Sequence, residues 1–377
     1  MNSDAKTART ETIFINLLQG AGITLNGNEP WDIQVHDKRF FKRLLAGGSI
    51  ALGESYMDGW WDVESLDEFF VRLFNVDAQS DASRPAGLRL RTQFFRIFNT
   101  QAGRRSFHVG KRHYDAGNDI FEHMLDRQMV YSCAYWKDAE DLHSAQLAKL
   151  NMICRKLGLR AGMRLLDIGC GWGSLLKFAA EKYSVEGLGV TVSGEQVKLA
   201  NKRTAGLPVK VRLKDYRTLS GNFDAIASVG MAEHVGWKNY PAYMEVAHRC
   251  LKPGGLFLVQ TIGSNRSVKE TDPWIAKHIF PNSMLPSLAQ LTRSAEPYFV
   301  VEDVQNFGAD YDRTLMSWDK NFRATWPELE EKYGQRFYRM WRYYLMSSAA
   351  SFRTRRIQLW QLVLAKQPSR TRYDAPR

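Results

Sequence analysis

The octapeptide LDIGCGWG (166–173) places one carboxylate, Asp167, ahead of three glycines at alternate positions, Gly169, Gly171 and Gly173. It joins the end of a strand-like run to the start of a helix-like one. Glycines at such a turn let the backbone bend sharply and approach a bound ligand closely. A dinucleotide site wants GxGxxG, with an acid about 20 residues on to hold the ribose. Here the spacing is GxGxG, the acid precedes the glycines, and the following strand ends in VTVS (190–193) with no carboxylate. No lysine stands in the loop to neutralise phosphates, which argues against a P-loop. An acid in that place suits a cationic ligand held near the helix start. The second pair able to do chemistry is Glu233-His234, just past a strand-like run, where ligands of open α/β sheets gather. Cysteines 133, 154, 170 and 250 form no CxxC pair and no zinc spacing, so no metal site is expected.

The elements that must position these groups follow from the apolar pattern. Strand-like runs at 164–169, 185–192, 209–213, 223–230 and 255–262 alternate with helical stretches, and runs at 298–304 and 357–365 close the series. That alternation predicts a doubly wound α/β sheet. A long helical stretch, 313–352, precedes the last strand. In it Phe337, Met340, Trp341, Tyr344 and Leu345 share one face, with Arg336, Arg339 and Arg342 on the other. Residues 1 to about 76 read as a compact α-rich unit, with helical spacing in Phe14-Leu17-Leu18 and Phe40-Phe41-Leu44-Leu45. It has a break at Gly47-Gly48, and Trp60-Trp61 are expected in its core. DAQSDASRPAG (77–87) reads as a loop, and 88–98 as a short basic amphipathic helix.

Charge narrows the partners. The 377 residues carry 52 Lys and Arg against 40 Asp and Glu, formally +12 at pH 7. Eight basic residues and no acid lie between Asp81 and Asp115, and ten more, against Asp374 alone, lie from Gly334 onward. Such a concentration attracts nucleic acid, acidic lipid headgroups or a charged substrate. With neither an RNP1 pattern nor a GXXG clamp in the chain, no nucleic-acid partner is expected. No run approaches the about 18 apolar residues of a spanning helix. The opening MNSDAKTARTETIF has no apolar signal region, so a reduced, cytoplasmic enzyme is expected.

Further motifs lie in register along the chain. LKPGG (251–255) and FDAIASVG before Glu233 complete, with the glycine loop, a pattern that resembles the class I methyltransferases, which bind S-adenosylmethionine. YDAGND (114–119), MVYSCAYW (129–136), GESYMDGWW (53–61), AEHVG (232–236), FGADYD (307–312) and IQLWQ (357–361) extend the likeness from end to end. With them the chain resembles the cyclopropane fatty acid synthases, in particular their long bacterial form that acts on phospholipid.

The resemblance implies a Rossmann-like, seven-stranded class I methyltransferase domain over 113–377. It also implies an N-terminal domain for lipid interaction or dimerisation over 1–98, with a basic linker at 99–112. It implies S-adenosylmethionine as methyl donor and bound bicarbonate as general base. Matched motif by motif, the bicarbonate cradle falls on Cys133, Glu233, Ile262 and Tyr311. The family's histidine ahead of the Thr-Ile-Gly segment is here Gln260, which hydrogen-bonds but cannot take up a proton. The cofactor residues would be Tyr131, Ser132, Asp167, Gly169, Gly171, Gly173, Thr191, Gln196, Asp215 and Tyr216, with Gln196 in the ribose role. Unsaturated phospholipid acyl chains are the implied substrate. An anionic membrane surface, met from the cytoplasmic side, is the implied partner, and a homodimer the implied assembly. The segment 263–297 (Trp274, Ile279, Phe280, Met284, Leu285) and the aromatic helix at 337–345 are rich enough in large apolar groups to line an acyl channel. The alternative product is a methyl- or methylene-branched chain. An RNA methyltransferase and a nicotinamide oxidoreductase are the competing readings that the motifs disfavour.

Overall fold

The computed structural model describes residues 3–79, 117–368 and 372–377. The basic helix expected at 88–98, the linker at 99–112 and the start of YDAGND lie outside those residues. The chain forms two compact units, one of Met1–Asp115, Thr271–Pro281 and Leu315–Arg356, the other of Ala116–Glu270, Asn282–Thr314 and Ile357–Arg377. The expected division ran once along the chain; the described units interleave.

In the first unit, helices α1 (Ser3–Gly20), α2 (Arg39–Met57) and α3 (Leu66–Gln79) bury the apolar stripes seen in the sequence. Phe14, Phe40, Trp61 and Phe69 are fully buried, and Phe14 meets Phe40 edge-on at 5.4 Å. The Gly47-Gly48 break is real but local: Gly48 alone leaves helical geometry (φ 52°), and α2 resumes beyond it. Of the tryptophan pair only Trp61 is core. Trp60 is half-buried, with the guanidinium groups of Arg39 and Arg43 each 4.8 Å from its ring.

The second unit is built on a seven-stranded sheet. Its strands are β3 (Arg164–Ile168), β4 (Glu186–Thr191), β5 (Val209–Leu213), β6 (Phe223–Val229), β7 (Leu251–Ser264), β8 (Val300–Asn306) and β9 (Ile357–Ala365). The two-residue bridges Gln34–Val35 (β1) and Trp61–Asp62 (β2) belong to the first unit. The order is β5-β4-β3-β6-β7-β9-β8, with β9 antiparallel to both neighbours and the strands from β5 to β7 parallel. Central strands read as near-continuous apolar runs because both faces are covered. One face packs on α9 (Tyr240–Cys250) and α11 (Leu288–Ala295) around Ile168, Phe257 and Tyr243. The other packs on α5 (Leu142–Lys156) and α6 (Ser174–Tyr183) around Leu165, Leu176 and Leu258. Helix α5 starts on an Asp141–Ser144 capping box, Ser144 N–H to Asp141 at 2.7 Å.

Close packing sets a test within β7. A Cβ on Gly263 would run into the indole of Trp360 on β9. Gly263→Ala is therefore expected to destabilise the second unit by about 1–3 kcal/mol, the usual cost of overpacking, read by denaturant unfolding. A change below about 0.5 kcal/mol would mean the indole swings aside freely.

The helical run α12 (Ala309–Arg353) begins in the second unit and continues into the first, interrupted at Gly334 (φ 71°). Its arginines correct one expectation. Arg336 binds Asp58, Arg339 binds Asp62, Arg342 binds Asp319, and Arg353 binds Asp67 and Glu68. Arg377 binds Asp303. Much of the C-terminal positive charge is thus matched by carboxylates far away in sequence and is not a free basic surface. The channel candidates also separate: Trp274, Ile279 and Phe280 fall in the first unit, Met284 and Leu285 in the second. Trp274, Ile279 and Met284 are buried core residues.

Candidate active site

The glycine loop follows β3. Gly169, Gly171 and Gly173 all have positive φ, at 84°, 53° and 78°, the region in which glycine is favoured over other residues. The loop is tied to β4 by the N–H groups of Gly169 and Cys170, both donated to the Val190 carbonyl at 2.9 and 3.1 Å. A Cβ on Gly171 would meet nothing within 4 Å, so the loop faces open space at that point. Beside it Asp167 is buried, and its Oδ1 has no hydrogen-bond partner. Burial raises its carboxyl to about 7, opposed by the nearby Lys149 ammonium. A partnerless buried carboxylate oxygen beside open space fits a cationic ligand such as S-adenosylmethionine.

The segment 117–136 packs along this loop. Trp172 donates its indole N–H to Asn118 at 3.0 Å and packs on Phe121, which in turn packs on Tyr131. Ser132 is buried, with its hydroxyl accepting from Lys149 at 3.0 Å. At the end of β4, Thr191 and Gln196 are brought together, Thr191 Oγ1 to Gln196 Oε1 at 2.6 Å, which leaves the Gln196 amide N–H groups to be offered outward. Asp215 is already occupied by its own turn and by Arg217, at 2.5 Å. Tyr216 is half-buried and meets Tyr243 edge-on at 5.7 Å.

The second cluster lies beyond β6 and β7. Glu233, on the short helix α8 (Ala232–Val235), is 7% exposed. Its Oε1 accepts the Ile262 N–H at 2.7 Å, while Oε2 is buried without a partner. Burial lifts the carboxyl to about 7, against the pull of hydrogen bonds from its own backbone, Ile262 and Thr261. His234 beside it is accessible, and desolvation by the surrounding protein lowers its basicity. Gln260 is buried and pairs with Gln361 across the β7–β9 ladder, Gln361 donating to Gln260 Oε1 at 3.0 Å. The Gln260 amide nitrogen has no partner, so only its donor side remains available.

Cys133 and Tyr311 are positioned by one set of bonds. Ala134 N–H and the Trp136 indole donate to Thr314 Oγ1 at 3.2 and 2.9 Å, and Trp136 N–H donates to Asp310 at 2.8 Å. Both Cys133 and Tyr311 are buried, and burial pushes the Cys133 thiol well up, so it stays neutral. The structure therefore pairs Glu233 with Ile262, Cys133 with the start of α12 that carries Tyr311, and Gln260 with Gln361. The sequence reading missed Asn118, Gln146, Lys149 and Gln361. For Lys149 a signal existed: a lysine on the same helix face as Leu142, Ile153 and other buried residues.

The mycolic acid cyclopropane synthetase family matches residues 101–362. Over 350 residues the chain is 54% identical to the cyclopropane-fatty-acyl-phospholipid synthase of Escherichia coli strain K12, covering 93% of this chain and 92% of that one. It is 32% identical over 352 residues to a tuberculostearic acid methyltransferase of Mycobacterium tuberculosis, covering 86% and 81%. Among solved structures, the mycolic acid cyclopropane synthase CmaA1 complexed with SAH and CTAB superposes with a TM-score of 0.64 at 31% identity, over 71% of this chain and 100% of that one.

Proposed function

Because the chain belongs to the mycolic acid cyclopropane synthetase family, we propose that it is a cyclopropane-fatty-acyl-phospholipid synthase. It adds a methylene from S-adenosylmethionine across the cis double bond of a phospholipid acyl chain. The observation that carries the reading is Glu233, with one carboxylate oxygen anchored by Ile262 N–H and the other buried without a hydrogen-bond partner.

When bound, S-adenosylmethionine would supply the sulfonium methyl and bicarbonate a general base. The protein's share is geometry and charge. An alkene is a poor nucleophile, so the site must align it and exclude water. Asp167 and the Gly171 backbone hold the cofactor, with Tyr131, Ser132, Gly169, Gly173, Thr191 and Gln196 around it. Tyr216 borders the adenine end, where Asp215 serves by shaping its turn. Once ionised, Glu233, whose Oε2 has no partner, would hold bicarbonate by its O–H and raise its basicity. Tyr311, the Gln260 amide and the backbone near Cys133 would supply donors to the anion, while the Ile262 N–H orients Glu233 beside it. The enzyme works at an anionic membrane surface as a homodimer.

Gln260 supports a second reading, a methyl- or methylene-branched product, since glutamine cannot share a proton as histidine does. Gln260→His is expected to tighten the bicarbonate dependence of turnover severalfold. Identical bicarbonate affinity in the two proteins would show that the position is neutral. The function itself is tested by incubating the protein with S-adenosylmethionine and vesicles of monounsaturated phospholipid, then fragmenting the product by mass spectrometry. A ring at the former double bond is expected. A methyl branch would select the second reading, and unmodified lipid with intact cofactor binding would overturn both.

A further inference from the structure

Helix α5 lays a polar stripe onto the sheet where an apolar one is expected. Gln146, Lys149 and Lys156, three and then seven residues apart, share one helix face, and all three are within 1% of complete burial. Gln146 donates to the carbonyls of Val130 and Ser132 at 3.3 and 2.9 Å. Lys149 donates to the Ser132 hydroxyl at 3.0 Å, its one hydrogen bond among the described residues. The same ammonium acts on the buried carboxylate of Asp167, whose Oδ1 lacks a partner. A lysine is not sealed in an interior without compensation, because desolvating its charge costs several kcal/mol.

We propose that Lys149 is a positioning residue of the cofactor site. Its ammonium holds Ser132 from below and is the standing counter-charge that keeps Asp167 ionised for the cationic end of S-adenosylmethionine. The proposal rests on the reading that Asp167 faces the cofactor. Three groups act on Lys149: Asp126, Cys133 and Asp167. Asp126 is taken up by the N–H groups of Gln128 and Val130 and by His143, and it also acts on Arg203. Asp167 is faced by Lys149 and by Cys170, and burial pushes the Cys133 and Cys170 thiols well up, so neither carries charge near neutrality. Burial places Asp167 at about 7 and Lys149 at about 8. Removing the ammonium leaves burial unopposed, and the Asp167 carboxyl rises further.

The full chain is titrated with S-adenosylmethionine by calorimetry from pH 6 to pH 9, with thermal unfolding measured without cofactor alongside. Affinity in the unmodified protein is expected to fall as Asp167 protonates. Lys149→Gln keeps a donor for Ser132 but no charge. It should shift the midpoint of the affinity–pH curve up by about one unit and weaken binding at pH 7 by about 5-fold. Lys149→Arg should keep the original midpoint. The charge-neutral double variant Asp167→Asn with Lys149→Gln should bind at least as well as Asp167→Asn alone, because the ammonium then only repels the cationic cofactor. A purely structural lysine would lower the unfolding temperature and leave the midpoint where it was. An unmoved midpoint in Lys149→Gln, or a double variant weaker than Asp167→Asn, overturns the proposal. If Asp167→Asn by itself binds as tightly as the unmodified protein, the placement of the cofactor against Asp167 fails instead.

Discussion

Glu233→Gln is expected to reduce ring formation by about 10²–10⁴-fold, the usual contribution of a positioned acid–base group, and at the same time to stabilise the protein at pH 8. Glutamine keeps an acceptor for Ile262 N–H but cannot become the carboxylate that takes a proton from bicarbonate. With its carboxyl raised from 4.5 to about 7 by burial, Glu233 is protonated below neutrality. Activity should therefore climb as pH rises through about 7, and that limb should vanish in the variant. The stability sign follows from the same shift. Below about 4.5 the carboxyl is neutral in folded and unfolded chains alike, and burying it costs no charge. Between 4.5 and 7 the unfolded chain loses the proton and the folded one keeps it, so stability falls as pH rises. Above 7 the full penalty is present, on the order of 3 kcal/mol. Glutamine escapes it. Urea unfolding at pH 5 and pH 8 measures the difference, and a stability gap unchanged between the two would remove the buried-carboxylate account.

The second large effect lies at the far side of the sheet. Lys156 is fully buried, and its ammonium donates to Asp303 on β8 at 2.8 Å and to Gln305 at 2.6 Å. Arg377 binds the other Asp303 oxygen at 2.6 Å. Burial would raise the Asp303 carboxyl, but the bonds from Arg377 and Lys156 outweigh it and hold the group below its ordinary range. Asp303→Asn leaves a sealed ammonium without counter-charge and is expected to cost about 3–5 kcal/mol. Lys156→Met should cost far less, because Asp303 keeps Arg377 and the stem is replaced by an apolar chain of like length. Equal losses from the two substitutions would refute this asymmetry. Because the pKa is depressed, the stabilisation is present above the unfolded carboxyl range and is lost as pH falls through the folded value.

The strands were legible because their apolar runs are long and set off by glycine or polar breaks. Arg164–Ile168, Val209–Leu213 and Ile357–Ala365 fall within a residue of the expected bounds. β7 was less so: it runs from Leu251 to Ser264, whereas the expected run began only at 255, the end of LKPGG. The loop Asp167-x-Gly-x-Gly-x-Gly was legible because a glycine turn is a local backbone demand. The Gln260–Gln361 pair was not, because it joins residues 101 positions apart on strands that only the sheet order makes neighbours. The C-terminal arginines were counted correctly and read as free, since a count of charges carries no information about partners such as Asp58, Asp62 and Asp319.

The positive charge between Asp81 and Asp115, which no acid within that stretch answers, lies outside the described residues. By itself the amino-acid sequence determined the class of chemistry: an acid ahead of a three-glycine turn, a glutamate after the fourth strand of the α/β series, and the order of the strands between them. Those are consequences of neighbours in the chain, where spacing and side-chain volume act over a few residues. Only the tertiary structure decided which carboxylates are buried, which of their oxygens are satisfied, and that Lys149 is sealed against Ser132. Protonation is set by desolvation and by charges brought close in space, and both come into being only when distant segments pack.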